Sequence, residues 1–68
     1  MPEFNDLDVV TLTTDFPEHG VSKGAMGTIV HIYSSPNVAY EVEFCDDGDT
    51  VAMFPVLPSQ IELKQPGL

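Results

Sequence analysis

The sequence predicts an all-β fold: five short strands in a small, strongly bent barrel. Three observations predict it. The segment "YEVEF" (Tyr40–Phe44) alternates without a fault, placing Tyr40, Val42 and Phe44 on one face and Glu41 and Glu43 on the other, the pattern of a half-buried strand. No window of helical length carries apolar residues at i, i+3 and i+4 without a glycine or proline inside it. Short β-branched runs instead follow one another between turn residues, which is how a small all-β domain is written.

Taken in order, the first run is "LDVVTLTTD" (Leu7–Asp15), with Val9, Val10 and Leu12 set among threonines. "FPEHGVSKG" (Phe16–Gly24) is a long connection for so short a chain and therefore a candidate working loop. "TIVHIY" (Thr28–Tyr33) is the second strand, and "SSPN" (Ser34–Asn37) breaks it with a longer turn. The alternating Tyr40–Phe44 segment is the third. Asp47-Gly48 then suits the two left-handed positions of a type I′ turn, making a hairpin with "TVAMF" (Thr50–Phe54). Pro58-Ser59-Gln60 suits a single 3₁₀ turn, and "IEL" (Ile61–Leu63) closes the series. A barrel would also remove the exposed strand edges. The domain is expected over residues 7–63, with a flexible lead-in at 1–6 and a flexible tail at 64–68.

The order "LDVVTLTTDFPEHG", "KGAMGTIVHIY", "AYEVEF" and "DTVAMFPVLPSQIEL" resembles the SH3-like small barrel. It is most similar to the short bacterial family known as "domain of unknown function 4926". The telling pieces are Leu7-Asp8-Val9-Val10, Pro17-Glu18-His19-Gly20, Gly27-Thr28-Ile29-Val30 and Tyr40-Glu41-Val42-Glu43-Phe44. The family's description assigns no activity, so the resemblance implies a fold and leaves function to the residues.

Charge is the most unusual global property. Eleven acidic residues oppose two lysines, Lys23 and Lys64, for a formal net charge of -9. Nucleic-acid readers draw affinity from Lys and Arg on phosphates, so an autonomous nucleic-acid reader is not expected. An acidic surface attracts basic ones and favours a protein partner carrying Lys and Arg; the plainer alternative is that the charge keeps a small domain soluble. Cys45 is the only cysteine, which rules out an intrachain disulfide and points to a reducing, cytoplasmic setting. No leader pattern or membrane-spanning run is read in the sequence, so no membrane role is expected.

Candidate chemistry is sparse. Gly24 and Gly27 stand three apart but precede a strand, whereas a phosphate loop opens a helix. Gly20, Gly24, Gly27 and Gly48 are therefore read as structural turns. His19, His31 and Cys45 lack ligand spacing for zinc, and Asp46, Asp47 and Asp49 do not match a calcium loop. The acids beside Cys45 would raise its thiol pKa, against a nucleophile. Glu41 and Glu43 lie about 7 Å apart as an i, i+2 strand pair, yet a thin barrel offers no deep cleft to desolvate one of them. No catalytic residue, cofactor or metal is expected, and the protein is read as not an enzyme.

What remains is surface. Phe16, Pro17, Glu18 and His19 on the long loop, with Tyr33, Phe54 and Pro55, are the candidate partner-binding residues, joined by Pro58. The resemblance implies that the long loop and the late 3₁₀ turn flank one groove and bring these residues together. For Phe16 and Phe54 the alternative is that each plugs an end of the core. The expected function is a non-enzymatic, acidic protein-binding or adaptor module that docks a basic protein, for instance as a neutralising, antitoxin-like or immunity-like partner. The alternative is a structural accessory subunit of a larger enzyme or electron-transfer complex.

Overall fold

In the computed structural model, which describes residues 3–64, the strands are β1 (Val9–Leu12), β2 (Met26–Tyr33), β3 (Ala39–Asp46), β4 (Asp49–Val56) and β5 (Ile61–Leu63). Two 3₁₀ turns, Pro17–His19 and Pro58–Gln60, interrupt the loops. All pairings are antiparallel, in one sheet of order β4-β3-β2-β1-β5. This is the small SH3-like fold expected from the sequence.

The core lies on one face of this sheet. Val10, Leu12, Ile29, Tyr40, Val42, Phe44, Phe54, Val56 and Ile61 supply it from the strands, and Tyr40, Val42 and Phe44 all point inward while Glu41 and Glu43 face out. The hairpin between β3 and β4 turns at Asp47 and Gly48, with φ of 51° and 83°. Both left-handed positions are thus occupied, as a type I′ turn requires.

Each of two strands carries one extra residue. Val30 is inserted in β2 between Ile29 and His31, and Val51 in β4 opposite the Phe44–Cys45 step. Such bulges bend a sheet and strengthen its twist. They also keep His31 opposite Glu41 and Ile32 opposite Tyr40, so that the inward and outward sets stay separate.

Three sequence expectations are corrected. The strands do not remove their edges, because β4 and β5 each pair on one side only among the described residues. β5 spans just three residues, and Phe4, Phe16 and Val21, none of which lies in a strand, add to the core. The free side of β4 is blunted by the Val51 bulge and by Pro55, which has no N–H to offer.

The second correction concerns the lead-in. Phe4 is 8% exposed and meets Tyr40 edge-on, ring centroids 5.3 Å apart. The Tyr40 hydroxyl accepts hydrogen bonds from the Glu3 and Phe4 amides at 2.9 and 3.2 Å. The core thus begins before residue 7. The remainder of the lead-in, residues 1 and 2, and the tail from 65 to 68 lie outside the described residues.

The third concerns Gly27. It is not a turn residue but sits inside β2, buried, opposite Val10 of β1. A Cβ there would stand 2.5 Å from Val42 Cγ1 and 2.9 Å from the Phe44 ring. Glycine is needed because β3 side chains occupy the space. Gly20, Gly24 and Gly48 do have left-handed backbones, in keeping with turns.

Candidate functional site

The long connection after β1 is folded rather than loose. Phe16 and Val21 form an isolated antiparallel bridge, with amide-to-carbonyl distances of 2.8 and 3.2 Å. Inside it runs the Pro17–His19 turn, closed by the left-handed Gly20, whose amide donates to the Pro17 carbonyl. Proline presets the first position of such a turn. Asp15 fastens the far side by accepting the Lys23 amide at 2.7 Å.

This local structure sends Phe16 into the core and leaves His19 outside. Phe16 and Phe54, 8% and 3% exposed, pack with ring centroids 4.9 Å apart. They plug the core and so leave the set of direct contact residues; a ring already covered by protein has no surface for a partner. His19 stacks on Phe54, so the structure does bring Phe16, His19 and Phe54 together. Pro17, Glu18 and His19 remain exposed around them.

Tyr33 and Pro55 belong elsewhere, to the outer face of the sheet. His31, Glu41 and Pro55 form one cross-strand row on β2, β3 and β4. The Tyr33 hydroxyl donates to Glu41 Oε1 at 2.9 Å, and the His31 ring stands edge-on to Tyr33 at 4.6 Å. The hydrogen bond to Glu41, with loss of hydration and the carboxylate's negative charge adding to it, raises the Tyr33 phenol above its ordinary 10.0.

The neighbouring row runs Val9, Thr28, Glu43, Met53 across four strands. The Thr50 hydroxyl donates to Glu43 Oε2. The Glu41 and Glu43 carboxylates are therefore each oriented by a hydroxyl from the surface around them. Val9, Met26 and Met53 are exposed on the same face, and between β1, β2 and β3 it holds a shallow depression of about 160 Å³ lined by Val9, Met26, Gly27, Thr28, Glu43 and Cys45.

Cys45 is an exposed free thiol. Among the described residues no group of three or more His, Cys, Asp or Glu side chains is placed to hold a metal. Nor is any described helix long and apolar enough to cross a membrane.

The model of the family described as Domain of unknown function (DUF4926) matches residues 6–63, the whole of the sheet and both 3₁₀ turns. The chain belongs to this family. No curated protein and no solved structure matches the DUF4926 chain. The candidate surface of this DUF4926 domain therefore rests on its own residues.

Alternation puts Glu41 and Glu43 on the outer face but does not identify their neighbours. Thr28, Met53 and Val9 come beside Glu43 only through the pairing register. The outward position of Met53 was legible, since it alternates with Ala52 and Phe54. Which strands would adjoin it was not.

Proposed function

We propose that this domain is a non-enzymatic binding module that docks a basic protein surface on the outer face of β2, β3 and β4. The observation that carries the reading is the state of the Glu41 and Glu43 carboxylates on β3. Glu41 and Glu43 each receive a hydrogen bond from a neutral hydroxyl, of Tyr33 and Thr50 respectively. These bonds fix the carboxylates while leaving their negative charge uncancelled. In a chain of net charge -9, such a face attracts and orients lysines and arginines of a partner.

The surroundings suit protein contact. Tyr33, Met53 and Pro55 are exposed around the acids, and aromatic and methionine side chains are favoured at the centres of interfaces. Such a module would serve as an adaptor or as a neutraliser of a basic protein, in a reducing, cytoplasmic compartment compatible with the exposed Cys45 thiol.

The test is to isolate the partner and measure association and dissociation rates at low and high salt. Association should slow as salt rises, and Glu41→Lys should slow it further with little effect on dissociation. An acidic partner, or association indifferent to both salt and this substitution, would reject the reading.

A further inference from the structure

The depression beside Glu43 carries the reading to the level of one side chain. We propose that it seats a single lysine or arginine side chain of the partner, with the apolar stem against Val9 and Met26 and the cationic head on Glu43. This inference rests on the basic-partner reading and specifies where one cation enters.

Size and chemistry converge on that occupant. At about 160 Å³ the depression is comparable with the ~150 Å³ cavity that takes up a benzene ring, enough for one long side chain. Its walls are of two kinds: Val9 and Met26 are apolar, whereas Glu43, Thr28 and Cys45 are polar. Lysine and arginine have the same division, a hydrocarbon stem and a charged head.

Other ligand classes fit less well. An anion would meet Glu43 and the charge of the whole chain. A purely apolar group would strip water from the carboxylate without replacing its hydrogen bonds. Calcium needs six to eight oxygens, whereas the lining side chains offer one carboxylate and one hydroxyl, and Oε2 of that carboxylate already accepts from Thr50. A cationic head can use Oε1 in a charge-assisted bond, with Thr28 on the adjoining strand as a further acceptor.

The experiment uses a synthetic decapeptide of alternating lysine and serine, titrated into the full chain at low salt and followed by NMR. Wild type should bind, with the largest shifts at the Met26 methyl and the Val9 and Thr28 amides. Glu43→Gln keeps an oxygen for Thr50 and should weaken binding at least fivefold. Asp47→Asn removes the same charge at the hairpin tip and should change it less than twofold. A second peptide with diaminopropionate in place of lysine keeps every charge but shortens each stem; it should bind at least threefold more weakly.

Equal binding of the two peptides, or equal loss in Glu43→Gln and Asp47→Asn, would overturn the seat while leaving a basic partner in place. No binding by wild type would overturn the seat and remove support from the basic-partner reading as well.

Discussion

The imidazole of His19 lies flat on the ring of Phe54, with centroids 3.9 Å apart and planes inclined by only 6°. Phe54 in turn meets Phe16 and Phe44 at 4.9 and 5.3 Å. An exposed histidine thus forms the outer layer of a buried aromatic stack. His19→Ala should destabilise the fold by about 0.5–1.5 kcal/mol, the worth of an aromatic pair. Urea unfolding should show a lower midpoint with an unchanged slope, and an unmoved midpoint would count against the stack.

Gly27 and Gly48 are required for different reasons, and substitution separates them. Gly27→Ala should cost about 1–3 kcal/mol through overpacking against Val42 and Phe44. Gly48→Ala meets nothing within 4 Å but must hold φ near +83°, which costs an L-residue roughly 1–2 kcal/mol. Asparagine tolerates that backbone and would restore much of the loss at 48 but none at 27. Thermal melts of the four variants give the comparison.

Tyr40→Phe keeps the ring and deletes the acceptor for the Glu3 and Phe4 amides. Unsatisfied groups at this partly buried site should lower stability by about 1–3 kcal/mol. The local signature is faster hydrogen exchange at Phe4 than in wild type, beyond the change at Val42. Uniform acceleration across both sites would mean that the hydroxyl has no special hold on the N-terminal segment.

Tyr33 gives a pH signature. Its phenol titrates above 10.0 because of its bond to Glu41, with partial loss of hydration and the carboxylate charge contributing less. A folded pKa raised above the unfolded one means that the native state keeps its proton longer. The associated stabilisation is therefore fully present below about pH 10 and lost as pH rises through the folded value. Glu41→Gln should move the Tyr33 transition back toward the ordinary value, as followed by ¹³C NMR of its Cζ. An unmoved transition would show that Glu41 is not the cause.

Much of this fold was legible where side chains alternate or a turn has strict chemistry. Tyr40, Val42 and Phe44 announced their common face, Asp47-Gly48 its hairpin and Pro58-Ser59-Gln60 its 3₁₀ turn. Tertiary effects were not legible. Phe4 stands alone in a polar segment, so nothing local marks it as core. Val30 and Val51 are ordinary β-branched residues, and only the partner strand's count makes them bulges. Gly27 reads as a turn until β3 is laid beside it.

The candidate site divides in the same way. Outward placement of Glu41 and Glu43 follows from alternation, but their hydroxyl partners Tyr33 and Thr50 are set by register. Phe16 and Phe54 have the composition of a sticky surface patch. Their burial depends on a loop bridge, Phe16 to Val21, that no periodicity encodes.

The strand order β4-β3-β2-β1-β5 also sets an order of events in time. β2, β3 and β4 are successive hairpins, whose contacts close short loops. β1 and β5 pair Val10 with Leu63 across nearly the whole chain, a closure whose entropic cost comes before its hydrogen bonds return anything. The meander is therefore expected to assemble first and β5 to dock last. In the native protein the same seam should open first: the Thr13 and Lys64 amides, bonded to Gln60 and Val9 carbonyls, should exchange with solvent well before those of Val42 and Phe54.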